Sequence, residues 1–314
     1  MKNTMKTDII LISYNTQNLL LKCLNSLYRV PQGCELGNVI VVDNCSDDKT
    51  VENVRENFPE VFLIEMEKNI GYAAAVNRGM AAAQTEWVFV GNADIEFRHN
   101  TLLSLYESIA EFPGTAVACP QQVYPDNSRE RSWGHFPGIG EALHYASFTS
   151  AIEGMLQSLA IKLGINRKAH TIPYADGAAL LLHKQTFNSI GGFDEEFFFF
   201  GEEADFCYRI WQADHIVLFV PSAVIMHVRG ASYGGNSPSM RSLQMLAESK
   251  IHFIKKNRKS QGIAITLMIM LWYYILLLFI NSFPALFSSS RRAAWRTCLM
   301  NISVYSSLIK QYIF

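Results

Sequence analysis

The sequence predicts an α/β protein built on a mostly parallel sheet with helices on both faces. Two observations carry this. Strand-like and helical patterns alternate four times within the first hundred residues, and each apolar strand run ends in polar residues: Ser13-Tyr14-Asn15, Asp43-Asn44, Asn69, and Asn92-Ala93-Asp94. Alternation of this kind demands crossover connections and hence a doubly wound sheet. In such sheets ligands bind beyond the carboxyl ends of the strands, so four polar endings on one edge mark a candidate site.

Each element has its own warrant. DIILISYN (8–15) is a short apolar run opening onto a polar loop, and Leu19, Leu20, Cys23, Leu24, Leu27 and Tyr28 follow helical spacing through 16–30. NVIVVDN (38–44) predicts a second strand, and SDDKTVENVRENF a helix capped by Ser46 or Asp47. VFLIEME (61–67), GYAAAVNRGMAAAQ (71–84) and EWVFVGNAD (86–94) predict strand, helix and strand. Beyond Asn100 the pattern predicts a helix over 101–112, a strand over 115–124, a Gly/Pro-rich loop over 125–140 and a helical, lid-like stretch over 141–165. A strand, a short helix and a Gly-Gly turn follow over 177–193, then a strand pair around Pro221 within 215–228.

Charge separates the body from the tail. The net charge is −1, which points to neither nucleic acid nor an acidic partner. From Arg229 onward, however, there are 11 Lys/Arg and one acid, Glu248, against 16 basic and 27 acidic residues before it. Lys255, Lys256, Arg258 and Lys259 precede Ile263–Ile280, an uncharged and mostly apolar run. An acidic body with a basic, apolar tail predicts a domain held at an anionic membrane surface. The run is long enough to cross a bilayer with help from its flanks. Arg291, Arg292 and Arg296 on its far side satisfy the sidedness rule poorly, so an in-plane or re-entrant segment broken near Asn281–Pro284 competes with a single span, as does a buried helix. Six cysteines without metal-ligand spacing, and an N-terminal apolar run (Ile9–Ile12) too short for a signal peptide, place the body in the reducing cytoplasm.

Among the strand-end residues, Asp94 could hold a divalent cation against a diphosphate, since Mg²⁺ and Mn²⁺ take hard oxygen ligands and often only one or two carboxylates. Asn and Asp at strand ends also serve as turn formers. Asp43 could accept hydrogen bonds from a base or ribose, or simply close an Asx turn. Small Ala73–Ala75 would let a helix approach a ligand, with Asn77 and Arg78 as its polar heads. FFFFGEEADFCYRI (197–210) sets four aromatic rings against two adjacent carboxylates, and a buried ionised carboxylate costs several kcal/mol unless a partner holds it.

Taken in order, SYN, VVDNCSDD, NIGYAAAVNRG, GNAD, GFDEEFFFFGEEADFCYR and HVRGAS resemble the motifs of the family 2 glycosyltransferases, closest to a bacterial rhamnosyltransferase-like branch, over residues 8–232. The resemblance implies a GT-A fold and inverting sugar transfer from a nucleoside-diphosphate sugar, dTDP-rhamnose by preference, to a lipid-linked saccharide. It puts Ser13, Tyr14, Asn15 and Asp43 on nucleoside contacts. Asn69, Gly71, Asn77 and Arg78 fall on the nucleotide-side helix motif, with Asn92 and Ala93 beside them. Asp94 falls on the last position of an Asp-x-Asp metal motif whose first position is Asn92 here, and His227 on a second metal or diphosphate position. Asp176 and Gly177 fall near the acceptor. Glu202 and Glu203 fall on the family's carboxylate pair, whose second member is the base and is usually Asp; the Glu at 203 leaves open which of the two acts. The Phe197–Phe200 run is expected as a wall that excludes water.

The implied organisation is a nucleotide-sugar half (1–100), an acceptor and catalytic half (101–232) and a membrane-associating tail (233–314). The implied cofactor is Mg²⁺ or Mn²⁺, and the implied place is the cytoplasmic face of the plasma membrane. Transfer to a polyprenyl phosphate itself, and a catalytically silent sugar-nucleotide-binding scaffold, are the competing functions.

Overall fold

The computed structural model describes residues 5–162, 168–228, 238–258, 262–282, 284 and 288–313. The charge run's Arg229 and Lys259, and the last four residues of the HVRGAS motif, lie outside them. The chain forms two compact units: Met1–Gly134 with Arg167–Gly234, and His135–Asn166 with Gly235–Phe314.

The first unit is the predicted α/β layer structure. Its strands are β1 (Lys6–Ser13), β2 (Glu35–Asp43), β3 (Phe62–Glu65), β4 (Trp87–Asn92), β5 (Ile95–Phe97), β6 (Thr115–Val123), the short β7 (Trp133–Gly134), β8 (His170–Thr171), β9 (Tyr174–Ala175), β10 (Ala179–His183) and β11 (Ile216–His227). The main sheet runs β3-β2-β1-β4-β10-β6-β11-β5, with β8 added on β11, while β7 and β9 make a separate pair. β1 is parallel to both β2 and β4, and Ile9–Ile12 are buried there, as expected of a central strand covered on both faces. Asp8 at its start is buried yet satisfied, for it accepts the backbone N–H groups of Asn38 (2.7 Å), Gln84 (2.5 Å) and Thr85 (3.1 Å).

Four helices follow the first strands: α1 (Gln17–Arg29), α2 (Thr50–Asn57), α3 (Tyr72–Ala82) and α4 (Thr101–Glu111). α2 begins later than its sequence suggests, with Lys49 at the N-cap position and no side-chain cap bond. The Asp48 carboxylate, one residue earlier, accepts the Thr50 N–H (3.0 Å), while Ser46 and Asp47 are drawn into the loop beyond β1. The segment 215–228 also departs from expectation, being one long strand instead of a pair. Its register against β6 slips between Val220 and Val224, where Pro221 cannot donate to the ladder.

The second unit is helical: α5 (Ile139–Ala146), α6 (Thr149–Lys162), α9 (Met240–Asn257), α10 (Gly262–Ser282) and α11 (Ser289–Ile313), with α7 (Lys184–Ser189) and α8 (Glu202–Gln212) belonging to the first unit. The described part of the 141–165 stretch, in α5 and α6, therefore groups with the tail helices in one unit. A pair between buried Glu141 and half-buried Lys250 (2.7 Å) ties α5 to α9, and Asn281 Oδ1 accepts from Arg291 (3.2 Å) where α10 meets α11. α10 is the described helix long and apolar enough to cross a membrane, with a mean hydropathy of 2.5.

Candidate active site

The sheet register assembles the site from distant segments. β11 runs antiparallel to β5 with His227 opposite Ile95, which sets the histidine beside Asp94 in the turn between β4 and β5. β10 runs antiparallel to β4 with Ala179 opposite Gly91, so Asp176 and Gly177 arrive beside the end of β4. There the Asn92 N–H donates to Ala178 O (3.0 Å). β1, parallel to β4, brings Ser13 to the same edge.

Two buried carboxylates hold His227. Its Nδ1 lies 3.1 Å from Glu130 Oε2 and its Nε2 lies 3.4 Å from Asp94 Oδ1. Burial lowers the imidazole's pKa, but Asp94 and Glu130 outweigh it and push it up to about 10. This corner attracts positive charge. Asp94 Oδ1 is buried, and its 3.4 Å contact with His227 Nε2 is an ion pair that falls short of a hydrogen bond, so a divalent cation that displaces the imidazole proton would gain both atoms as ligands. One hard carboxylate oxygen and one imidazole nitrogen, with a carboxylate behind the imidazole's other nitrogen, suit a divalent cation whose remaining ligands come from phosphate and water. The residues present thus fit the implied Mg²⁺ or Mn²⁺. Asn92, a neutral amide, adds no charge.

Glu202 and Glu203 open α8, and their environments differ. Gly201, with φ +87°, turns the chain into the helix, and its N–H donates to Glu203 Oε2 (3.1 Å). Glu203 is half-buried, whereas Glu202 is buried with Oε2 lacking any hydrogen-bond partner. Burial, then the charge of Glu203, raises the Glu202 pKa well above the carboxylate range. Burial and then Asp176 push Glu203 up to about 7, with the backbone N–H groups of Glu203 and Gly201 opposing. Gly177 faces Glu203, since a Cβ built on that glycine would stand 3.7 Å from the Glu203 Cβ. Asp176 Oδ1 accepts the Ala178 N–H (3.2 Å).

Tyr72 joins these groups, and sequence reading assigned it nothing. Its hydroxyl donates to Gly177 O (2.7 Å), and burial followed by the charges of Glu202, Glu203, Asp176 and Asp94 raises its pKa well above the phenol range. Glu130 was missed as well, because DNSRERS reads as a solvated loop. A backbone bond from Glu130 to Gln122 O (2.9 Å) instead lays that loop along β6 and buries the carboxylate.

The residues expected on the nucleotide side form a second, self-bonded group. The Asp47 N–H donates to Asn15 Oδ1 (2.8 Å), the Asn15 N–H to Ser46 Oγ (2.9 Å), and Ser46 donates to both oxygens of Asp43 (2.8 and 2.6 Å). Asp43 therefore closes an Asx turn. Ser13 Oγ is bonded to Thr16 (2.8 Å), and Tyr14 is exposed. Asn69 Oδ1 accepts from Asn44 and from the Gly71 N–H, both at 3.0 Å. Gly71 has φ +84°, and a Cβ there would meet Phe198 O at 2.6 Å, so only glycine fits.

Two expectations are corrected here. The Asn77 amide does not head into the pocket; it clamps Phe193 through its N–H and O (3.0 and 2.9 Å) and reaches Glu195 (2.9 Å), while Arg78 is exposed. The Phe197–Phe200 run is not a continuous wall either. Phe197 is core, Phe198 is exposed, and Phe199 packs edge-on to Tyr72 (6.3 Å between centroids). Asp205 and Arg209 form an i,i+4 pair (2.8 Å).

Comparison with known proteins adds the following. The family model described as glycosyl transferase family 2 matches residues 8–191. A relative from Mycobacterium tuberculosis, N-acetylglucosaminyl-diphospho-decaprenol L-rhamnosyltransferase, is 25% identical over 214 residues, covering 64% of this chain and 70% of the relative. The pre-mycofactocin glycosyltransferase of the same organism is 27% identical over 182 residues, 53% of this chain and 34% of that protein. Among solved structures, a mannosyltransferase from Pyrobaculum calidifontis in complex with GDP-Man and Mn²⁺ superposes with a TM-score of 0.61 at 16% identity, over all of this chain and 89% of the other. GalNAc-T7 with UDP, GalNAc and Mn²⁺ gives 0.57 at 17% identity, over 81% of this chain and half of the other.

Proposed function

This chain belongs to glycosyl transferase family 2, and on that premise we propose that it is a metal-dependent, inverting glycosyltransferase that moves a sugar, rhamnose from dTDP-rhamnose by preference, onto a lipid-diphosphate-linked saccharide at the cytoplasmic face of the membrane. The observation that carries this reading is the pairing of two unlike acids at one site. Asp94 presents a buried carboxylate oxygen whose one recorded contact is the 3.4 Å ion pair with His227, while half-buried Glu203 presents a carboxyl whose pKa is pushed up to about 7. The rhamnosyltransferase relative, whose name specifies a sugar-diphospho-lipid acceptor, supports the choice of substrates.

The roles divide as follows. Asp94 and His227 would hold the cation, with Glu130 fixing the imidazole from behind. When bound, a divalent cation supplies positive charge against the departing nucleoside diphosphate. The turn over Asn15, Asp43 and Ser46 and the exposed Tyr14 receive the nucleoside. Asn92 and Ala93 line the strand edge between nucleotide and cation. Glu203 accepts the proton of the acceptor hydroxyl as that oxygen bonds to the anomeric carbon, and the bond from that carbon to the diphosphate breaks with its electron pair leaving on the diphosphate. Glu203 is the base and Glu202 is not, because Glu202 is buried, with Oε2 closed off from any partner, whereas half-buried Glu203 faces Gly177 on the acceptor side. Asp176 and Gly177 stand on the acceptor side of Glu203.

The test is a transfer assay with purified protein and dTDP-rhamnose, offering either a polyprenyl-diphosphate-linked saccharide or free polyprenyl phosphate. Product on the first acceptor, with inverted anomeric configuration and dependence on Mn²⁺ or Mg²⁺, is the expected outcome. Product on the second alone would transfer the assignment to polyprenyl-phosphate glycosylation. No turnover with any sugar nucleotide, from folded protein that binds nucleotide, would leave the scaffold reading standing.

A further inference from the structure

Helix α6 carries Ile152, Met155, Leu156 and Leu159, the i, i+3, i+4, i+7 pattern of a single helical face. In most helices that face is buried. Here all four side chains are between 51 and 67% exposed. The sequence of α6 has one acid, Glu153, and it is half-buried with Oε2 3.4 Å from His144 Nε2. The exposed stripe is thus apolar and free of negative charge.

The same helical unit contains α10. Ile263, Thr266, Leu267 and Met270 on one side of α10 are buried, whereas Ile265, Met268, Trp272, Phe279 and Ile280 are exposed. The turn into α6 is seated on this helix, for Tyr145 and Phe148 pack against Tyr273 at 5.9 and 6.0 Å between centroids. Exposed bases flank α10 at both ends: Lys255, Lys256 and Arg258 before it, Arg291, Arg292 and Arg296 after it.

We infer that α6 is a second membrane-inserting element, and that its apolar stripe, together with the exposed face of α10, dips into one leaflet of an anionic phospholipid bilayer. Charge favours a lipid surface over a second copy of the chain. Basic residues at both ends of α10 would face each other's like charge across a two-fold interface, whereas they match anionic headgroups. The arrangement is monotopic: one side of α10 is packed on protein, one side is apolar and exposed, and both ends carry the same sign of charge. Exposed apolar side chains in this number mark an interaction site, and α6 adds four of them to those that α10 presents.

The test uses the full chain with Cys34 and Cys45 changed to serine, the other native thiols being buried. An environment-sensitive fluorophore is placed at Met155→Cys or, separately, at Phe279→Cys. Each labelled protein is mixed with vesicles of phosphatidylglycerol and phosphatidylethanolamine, with or without bromine in the acyl chains. The expected result is a blue shift at both positions and at least about twofold quenching by the brominated lipid. Quenching at 279 without quenching at 155 would overturn the proposal, as would no quenching at either. A blue shift at 155 that grows with protein concentration in the absence of vesicles would assign the stripe to a second copy instead. As an independent arm, changing Ile152, Met155, Leu156 and Leu159 together to serine should lower vesicle partitioning at least about tenfold with the thermal melt unchanged; unchanged partitioning would also overturn it. None of these readouts involves nucleotide binding or sugar transfer, so their failure leaves the proposed reaction untouched.

Discussion

His227 Nε2 and Asp94 Oδ1 stand 3.4 Å apart because β11 pairs antiparallel with β5, a strand of three residues immediately after Asp94. The sheet register, not proximity in sequence, brings the two side chains together. Glu130 meets the other ring nitrogen at 3.1 Å. Glu130→Gln keeps the shape and one acceptor while removing the charge. It should weaken Mn²⁺ binding about 10- to 100-fold by calorimetry or spin-resonance titration. Unchanged affinity would remove Glu130 from the site.

Glu203 and Glu202 should separate in their kinetics. Glu203→Gln should lower kcat by about 10²–10⁴-fold with KM for the donor little changed, whereas Glu203→Asp, which keeps the carboxylate, should retain part of the rate. Glu202→Gln should cost far less. Equal losses from the two glutamine variants would contradict the assignment.

The pH dependence follows from the same pair. With its pKa pushed up to about 7 by burial and Asp176, Glu203 is mostly protonated below that pH. The acid limb of kcat/KM should therefore fall near pH 7, well above an ordinary glutamate. A limb near pH 4.5 would show that another group is titrating.

Stability should move in the opposite sense. A carboxylate whose folded pKa lies above its unfolded value contributes stability that is fully present below the unfolded pKa and lost as pH rises through the folded one. For Glu203 that window runs from about 4.3 to about 7. Glu203→Gln has no such loss, so relative to wild type it should melt a few degrees higher at pH 8 than at pH 4. Equal melting differences at the two pH values would show that the burial of this carboxylate carries no cost.

Gly71 offers a test of the local scaffold. Its φ of +84° and the 2.6 Å approach of Phe198 O leave no room for a Cβ. Gly71→Ala should cost more than about 1 kcal/mol in denaturant melts and disturb Tyr72, whose N–H donates to that same carbonyl (2.9 Å). Gly177→Ala, whose Cβ would meet only ordinary contacts, should be tolerated in stability.

Much of this was legible in the chain itself. The first strands read directly because a central parallel strand must be apolar on both faces, and Ile9–Ile12 and Val39–Val42 are. Asp94, His227, Glu203 and Gly177 were singled out by motif, and the fold sets Asp94 beside His227 and Gly177 beside Glu203. What stayed hidden depends on pairing between distant segments. β5 is too short to show a period, Glu130 is buried only because its loop lies along β6, and Tyr72 looked like one aromatic at the start of an Ala-rich helix. Asn77 read as a ligand head because sequence does not reveal that the Phe193 loop folds back onto it. The tail read as apolar and basic, but the grouping of 135–166 with it follows from packing alone.

The most direct measurement is the melting temperature of the purified protein with UDP, dTDP, GDP or CDP, each with and without Mn²⁺, in wild type and Asp94→Ala. One diphosphate at a hundredfold its Kd should stabilise wild type by about 2.7 kcal/mol, only with the metal, and should lose that effect in Asp94→Ala. Stabilisation that ignores both the metal and Asp94, or none from any diphosphate, would contradict a metal-dependent nucleotide-sugar site built on Asp94 and His227.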